Sequence, residues 1–339
     1  MLNPTLKIEI SVVICAYTEE RWDELLAAVD STQKQTLPPC EILVVIDHNS
    51  GLYEQACQTL KNVSVMENQE ARGLSGARNT ALRLTKGNVI AFMDEDATAS
   101  SDWLEILSTS YQDQAVLGVG GQIKSDWQTG RPGWFPEEFD WVVGCTYRGL
   151  PVQIAPVRNL IGCNMSFRRE VFDSVNGFRH GIGRIGTLPV GCEETELCIR
   201  ARQFWPDRNF IYDPRAVVLH RVTGKRSNFS YFLSRCYAEG LSKALVTRFI
   251  GMQSGLNSEW NHTLKILPLG VLGGVRDGIV RRDASGWGRA SAIITGLFFT
   301  TCGFIIGSVR EQWRARDGLK NRETVQSAPL LTNQERKRV

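Results

Sequence analysis

The densest run of chemically competent side chains is Asp94-Glu95-Asp96, directly after the apolar run Ile90-Ala91-Phe92-Met93. The carboxylates therefore stand where a buried strand leaves its sheet, and ligands of open α/β sheets bind outside the carboxyl ends of strands. Alternate acidic side chains there offer hard oxygen ligands for Mg2+ or Mn2+, cations able to bridge two phosphates. Taken alone, the tripeptide reads nearly as well as a solvated acidic turn. Its neighbours favour a site. Asp47 ends a second apolar strand on the same carboxyl edge, and Thr18-Glu19 ends a first. The segment Ala71 to Asn79 adds the cations Arg72 and Arg78, glycines that permit close backbone approach, and a helix N-terminus suited to an anion. Three strand ends so equipped predict a nucleotide pocket.

A second cluster, Gly191-Cys192-Glu193-Glu194-Thr195-Glu196, opens a helix. Carboxylates at that end either complement the helix dipole or deprotonate a bound hydroxyl. His220, at a strand end, is a packed or surface histidine unless it joins the acidic cluster as a further metal or phosphate contact. No GxGxxG follows the first strand and no GxxxxGK[ST] occurs, which weighs against a dinucleotide fold and a P-loop NTPase.

The elements that must position these residues follow from periodicity. Ile8–Cys15, Glu41–Ile46, Val63–Met66 and Val89–Met93 read as strands, alternating with amphipathic helices. Trp22, Leu25, Leu26 and Val29 mark one helix, Leu52–Leu60 another, and a third runs from a Ser75 cap to Thr85. The pattern is α/β with a mostly parallel sheet. From Ser125 to Val157 no period fits, and Trp127, Trp134, Phe135, Phe139 and Trp141 stand among Gly and Pro. These aromatics either line a groove for an acceptor sugar or pack over the sheet edge. Order returns with a strand over Asn159–Phe167, helices over Arg169–Val175 and Glu193–Phe204, and a final strand over Ala216–Leu219. Phe229, Phe232, Leu233, Cys236, Leu241 and Leu245 then mark one face of a further helix.

At 339 residues the chain is long enough for one large domain and an appendage. Its net charge of +3 is too small to argue for nucleic acid. The nine cysteines have no CxxC pair or zinc spacing, so reduced thiols are expected. Met1–Ile10 lacks the basic-then-apolar pattern of a signal peptide, which places the active part in the cytoplasm. Beyond Gly251 the texture turns apolar. Ala290–Val309 carries no charge over 20 residues, with arginines on both sides that leave orientation undecided. One span, a helical hairpin and helices lying in the interface all fit. The organisation expected is thus a domain over 1–250, a hydrophobic, membrane-associated helical segment over 251–310, and a disordered polar tail over 311–339.

Several segments in this order resemble family 2 glycosyltransferases of the GT-A fold. They are Ser11–Tyr17, Val44–Asp47, Gly73–Asn79, Phe92–Asp96, Gly162–Arg168 and Glu193–Leu197, and the likeness covers about residues 9–243. The resemblance implies a Rossmann-like mixed sheet binding a nucleotide-sugar donor. Ala16, Tyr17, Glu19 and Asp47 would hold the nucleoside, Arg72 the base or diphosphate, and Asp94, with Glu95 beside it, the ribose. Asp96, Asp94 and His220 would take Mn2+ or Mg2+. Glu194 matches the family's base, although the family's Asp is Glu here, which keeps Glu193 in contention. Trp134, Asn164 and Arg235 fall to the acceptor side. The Gln-x-x-Arg-Trp motif of processive members is missing. The implied activity is inverting transfer of a hexose or hexuronic acid, from UDP as the family's commonest carrier, to a lipid-linked or polysaccharide-precursor hydroxyl at the cytoplasmic face of the membrane. Two rivals are a nucleotidyltransferase, which needs a Gly-rich cationic loop absent after the first strand, and a non-catalytic, membrane-anchored sugar-nucleotide binding module.

Overall fold

A computed structural model describes residues 7–183, 191–251 and 262–326. The first half alternates β1 (Ile10–Ala16), α1 (Trp22–Gln33), β2 (Glu41–Ile46), α2 (Ser50–Thr59), β3 (Ser64–Glu67), α3 (Leu74–Leu84) and β4 (Val89–Asp94). These four strands pair in parallel in the order β3-β2-β1-β4. The unbroken apolar runs have a simple cause. Val12 and Ile14 belong to the core on one face of the sheet, whereas Val13 and Cys15 belong to the core on the other. A strand buried on both faces needs no polar alternation.

Past β4 the chain adds β5 (Ala97–Ala99), α4 (Trp103–Ser110), β6 (Val116–Trp127), β7 (Ala155–Val157), β8 (Asn164–Arg168), α5 (Arg169–Val175), α6 (Glu193–Phe204) and β9 (Asn209–Val222). β8 runs antiparallel to both β4 and β6, so the sheet is mixed, as the family resemblance implied, although the βα alternation by itself pointed to a mostly parallel one. The strand expected from Asn159 begins at Asn164, and β6 reaches into the stretch where no period was found.

β9 departs most from expectation, running 14 residues with His220 inside it rather than at its end. The reason is a bulge. Gly121 pairs Asp213 and Gln122 pairs Val217, so Pro214, Arg215 and Ala216 drop out of register. A proline inside a strand is tolerated where the ladder is interrupted. Asn164 staples the bulge: its amide donates to the carbonyls of Gln122 and Ala216, and its oxygen accepts from the Trp103 indole. Gly121 is required there, because a Cβ would stand 1.9 Å from the Ala216 carbonyl oxygen.

Among the described residues three further α-helices follow: α7 (Phe229–Ile250), α8 (Leu267–Val280) and α9 (Ala284–Gln326). α9 packs along α7 at close range. A Cβ on Gly240 would lie 2.1 Å from the Thr300 carbonyl, and one on Gly303 2.1 Å from that of Tyr237. The segment from Ala284 to Arg310 is long and apolar enough to cross a membrane, yet one side of it is covered by the protein. The other side leaves Ile294, Phe298 and Ile305 more than half exposed, as are Leu269, Leu272 and Ile279 of α8. Residues 311–326 continue the helical backbone of α9 where an irregular tail was expected, and 327–339 lie outside the described residues. The polar stretch also extends an apolar helix, which propensity alone favours.

The Gly240–Gly303 contact yields a stability test. Gly303→Val should push α9 off α7 and cost about 1–3 kcal/mol, the range for overpacking. Thermal melting of the full chain reads this, and an unchanged midpoint would show that the contact is not tight.

Candidate active site

The carboxyl ends of β1, β2 and β4 open into one cavity of about 300 Å3, walled on the far side by α6 and α7. Ala16 and Tyr17 enter it from β1, Asp47 from the end of β2, and Asp94, Glu95 and Asp96 from β4 and the turn after it. Asp47 is held rigidly. Its Oδ2 accepts the Gly73 backbone N–H at 2.9 Å, and its Oδ1 the Asn68 amide at 2.7 Å. Gly73 reaches this donor position at φ +124°, which a side chain would oppose, and it caps α3. The helix thus starts at Leu74, and Ser75, read from sequence as the cap, instead donates to the Ile182 carbonyl.

Arg78, one turn into α3, is buried at the cavity floor. Its guanidinium bonds Glu193 at 2.7 Å and the Gly162 carbonyl at 3.3 Å, and it lies 3.6 Å from Asp94. The rings of Phe92 and Phe178 cover it, 5.6 and 5.3 Å from its centre. Glu193 is therefore committed to a buried ion pair, although both it and its neighbour Glu194 line the cavity. Burial, with the adjacent Glu193 charge, pushes the Glu194 carboxyl up to about 8.

Asp96 is also buried, and three cationic groups converge on it: His220 Nε2 at 3.2 Å and the guanidiniums of Arg21 and Arg226 at 3.1 Å each. Burial opposes ionisation, but His220 and the two arginines hold this carboxyl well below the usual range. In return, Asp96 overrides the burial of His220 and raises the imidazole to about 10. Glu95, buried beside Asp96 and salt-bridged to Arg21, is pushed up to about 7. Donor atoms of Asp94, Cys163 and His220 lie within 4.8 Å of one another. Burial raises the Cys163 thiol well above its ordinary pKa. Asp94 offers an oxygen suited to a divalent cation such as Mn2+, and His220 a nitrogen once it gives up the proton it shares with Asp96.

Not every residue singled out in the sequence reaches this cavity. Glu19 and Arg72 are exposed and outside its wall, with Arg72 donating to the His48 carbonyl. Trp134 packs edge-on against Phe229 and Phe232, centroids 5.0 and 5.6 Å away, so it joins the aromatic segment to α7. Asn164 is fully buried in the bulge staple, with its donors and acceptor consumed by the scaffold. Neither is placed to touch an acceptor. Trp141 and Tyr147 of the same aromatic segment do line the cavity, as does Arg235. Arg21, Arg158, Arg226, Glu239 and Lys243 also line it and were missed. A signal for two of them existed: Arg235, Glu239 and Lys243 recur every fourth residue on α7.

Three comparisons bear on this geometry. A family model described as glycosyl transferase family 2 matches residues 11–175. A glucosyl-dolichyl phosphate glucuronosyltransferase of Haloferax volcanii is 35% identical over 243 residues, covering 70% of this chain and 77% of that one. An Escherichia coli UDP-Glc:alpha-D-GlcNAc-diphosphoundecaprenol beta-1,3-glucosyltransferase is 33% identical over 26% of this chain and 35% of its own. Among solved structures, a mannosyltransferase from Pyrobaculum calidifontis in complex with GDP-Man and Mn2+ superposes with a TM-score of 0.58. It is 16% identical and covers 89% of this chain and 88% of its own, a likeness of fold.

The Arg78–Glu193 pair makes the site's framework testable. Arg78→Met leaves a carboxylate buried without its partner and should cost about 3–5 kcal/mol in urea unfolding. Adding Glu193→Leu should restore most of that loss. A single variant as stable as wild type would mean that the pair carries no structural weight.

Proposed function

The chain belongs to glycosyltransferase family 2 with the GT-A fold, and from that premise we propose that it is an inverting enzyme moving a hexose or hexuronic acid from a nucleoside-diphosphate sugar to a lipid-linked acceptor. UDP is the proposed carrier, and the cytoplasmic face of the membrane the proposed place of action. The observation that carries the reading is the separation of two acidic centres across one cavity. Asp94, Asp96 and His220 stand on one side and Glu194 on the other, with Arg78 between Asp94 and Glu193. The relative acting on a dolichyl phosphate acceptor supports the choice of acceptor class.

Tyr17 and Asp47 border the nucleoside end, where Asp47 accepts the Asn68 and Gly73 N–H bonds, has His48 Nδ1 3.0 Å from its Oδ1, and keeps a lone pair for a base. Asp94, Asp96 and His220 would hold Mn2+ or Mg2+, which when bound neutralises charge developing on the leaving diphosphate. Arg21 and Arg226 balance the Asp96 charge and stand ready at the same end. Glu194 takes the proton of the acceptor hydroxyl as its oxygen bonds to the anomeric carbon. The bond from that carbon to the diphosphate oxygen breaks, and the electron pair leaves with the nucleoside diphosphate. Attack opposite the leaving group inverts the anomeric centre.

Glu193 has the Arg78 guanidinium at 2.7 Å, whereas burial and the Glu193 charge raise the proton affinity of Glu194, which suits a base near neutral pH. Its raised pKa sets the sign of the pH dependence: the carboxylate that accepts the proton fills as pH rises. kcat/KM for transfer should climb with pH and reach half its maximum near pH 8. A profile already flat from pH 6 upward would remove Glu194 as base. Glu194→Gln should keep the thermal stabilisation given by sugar nucleotide with Mn2+ and lose transfer by roughly a hundredfold or more. Asp96→Ala should lose the Mn2+-dependent part of that stabilisation. Release of pyrophosphate rather than nucleoside diphosphate would turn the reading to a nucleotidyltransferase.

A further inference from the structure

Beside the acidic strand end lies a thiol that the proposed reaction leaves unused. Met93 of β4 pairs Asn164 of β8 in antiparallel register, so the next residues out, Asp94 and Cys163, stand side by side where both strands meet the cavity. β9 brings a third member. His220 pairs Ala97 on one side and Ser125 on the other, and its imidazole reaches the same point. One ligand atom from each of Asp94, Cys163 and His220 then lies within 4.8 Å of the other two. No sequence spacing links them, because the sheet assembles them from three strands.

Oxygen, sulfur and nitrogen converging in this way form the donor set of a borderline metal. With bonds of about 2.3 Å to sulfur and about 2.0–2.2 Å to nitrogen or oxygen, tetrahedral ligands of Zn2+ stand roughly 3.3–3.7 Å apart. Closing the present set takes movement of about 1–1.5 Å at most. Asp94, with a side chain 30% exposed, has room to supply it. Cys163 and His220 are buried and already in place. His220 has a partner at each nitrogen, Asp96 Oδ1 3.2 Å from Nε2 and the Cys145 thiol 3.8 Å from Nδ1. Whichever nitrogen takes a metal, the other keeps the contact that orients a ligand histidine.

The sulfur decides which cation is preferred. Mg2+ takes oxygen ligands in octahedral geometry and gains little from a thiolate, whereas Zn2+ and Co2+ suit thiolate and imidazole. Packing accounts for one side of Cys163, which belongs to the apolar core. It does not account for the other, where the thiol meets a carboxylate and an imidazole on the cavity wall.

We propose that Cys163 is a ligand of this cation seat, which through sulfur, oxygen and nitrogen takes Zn2+ ahead of Mg2+ and lets Zn2+ compete with Mn2+. On binding, the S–H bond breaks as the sulfur–zinc bond forms, and the proton passes to solvent. No oxidant or reductant is involved. The proposal rests on the reading of Asp94 and His220 as cation ligands and adds a residue that sets the choice of metal.

The experiment titrates Co2+, a spectroscopic stand-in for Zn2+, into the full chain under anaerobic conditions. Wild type should develop a sulfur-to-cobalt charge-transfer band in the near ultraviolet that saturates at a single ion per chain. Equimolar Zn2+ should abolish the band, and excess Mg2+ should leave it. Cys163→Ser should lack the band and, against a chromogenic chelator, hold Zn2+ more weakly by at least roughly 10–100-fold, the loss that even an outer-shell partner brings. Cys163→Ala should agree, with no hydroxyl left in the core. Cys192→Ser, which removes another thiol of the cavity wall, should keep the band. No band in wild type, or an equal band in Cys163→Ser, overturns the assignment, and displacement by Mg2+ as readily as by Zn2+ overturns the preference. The wild-type arms decide the matter if a variant fails to fold. Thermal stabilisation by UDP with Mn2+ tests the donor site separately. Its absence beside an intact cobalt band would sink the donor reading and leave the thiol ligand standing, whereas its presence without the band removes the thiol ligand alone.

Discussion

The buried guanidinium of Arg78 is the constraint on which the rest of the site depends. A single side chain from α3 touches the start of α6 through Glu193, the approach to β8 through Gly162, and the end of β4 through Asp94. A charge so deep in the protein is tolerable only when it is paired and hydrogen-bonded. Arg78 meets that condition by drawing two acidic elements from opposite ends of the domain to one point. The consequence is a division of labour between adjacent glutamates. Glu193 is neutralised as structure, and Glu194, turned into the cavity, is left with a carboxyl that burial and its neighbour make basic.

The other half of the site depends on a register defect. Without the bulge at Pro214–Ala216, β9 would continue its pairing with β6 unbroken and present different residues to the turn after β4. With it, Ala97 pairs His220 and the imidazole lies against Asp96. Asn164 and Gly121 are scaffold for that defect, one bonding its carbonyls and the other making room for them. Residues that look like ligands in sequence can thus serve to aim the residues that are.

The C-terminal helices belong to the same construction. α7 shows its polar stripe to the cavity and its small residues to α9, so the apolar hairpin is fastened to the back of the active-site wall. A helix so fastened along one side leaves Ile294, Phe298 and Ile305 exposed on the other. If the acceptor is lipid-linked, as proposed, the cavity wall and the exposed apolar surface belong to one helical layer.

Much of this was legible in the residues. Apolar runs ending in Asp47 and Asp94–Asp96, and acidic residues opening a helix at Glu193, located the strand ends and the start of α6, because burial on two faces and helix polarity leave local signatures. The family resemblance rested on the same segments. Local pattern could not choose between Glu193 and Glu194, send His220 to Asp96, or tell Asn164 and Trp134 from ligands. Each of those outcomes depends on a partner far away in the chain: Arg78 for Glu193, the β6 register for His220, Trp103 for Asn164, Phe232 for Trp134. The sequence by itself determined which groups were available for metal, nucleotide and proton. Only the tertiary structure decided which of them remain open to a substrate, because a side chain's charge and reach are spent on whatever the fold brings against it.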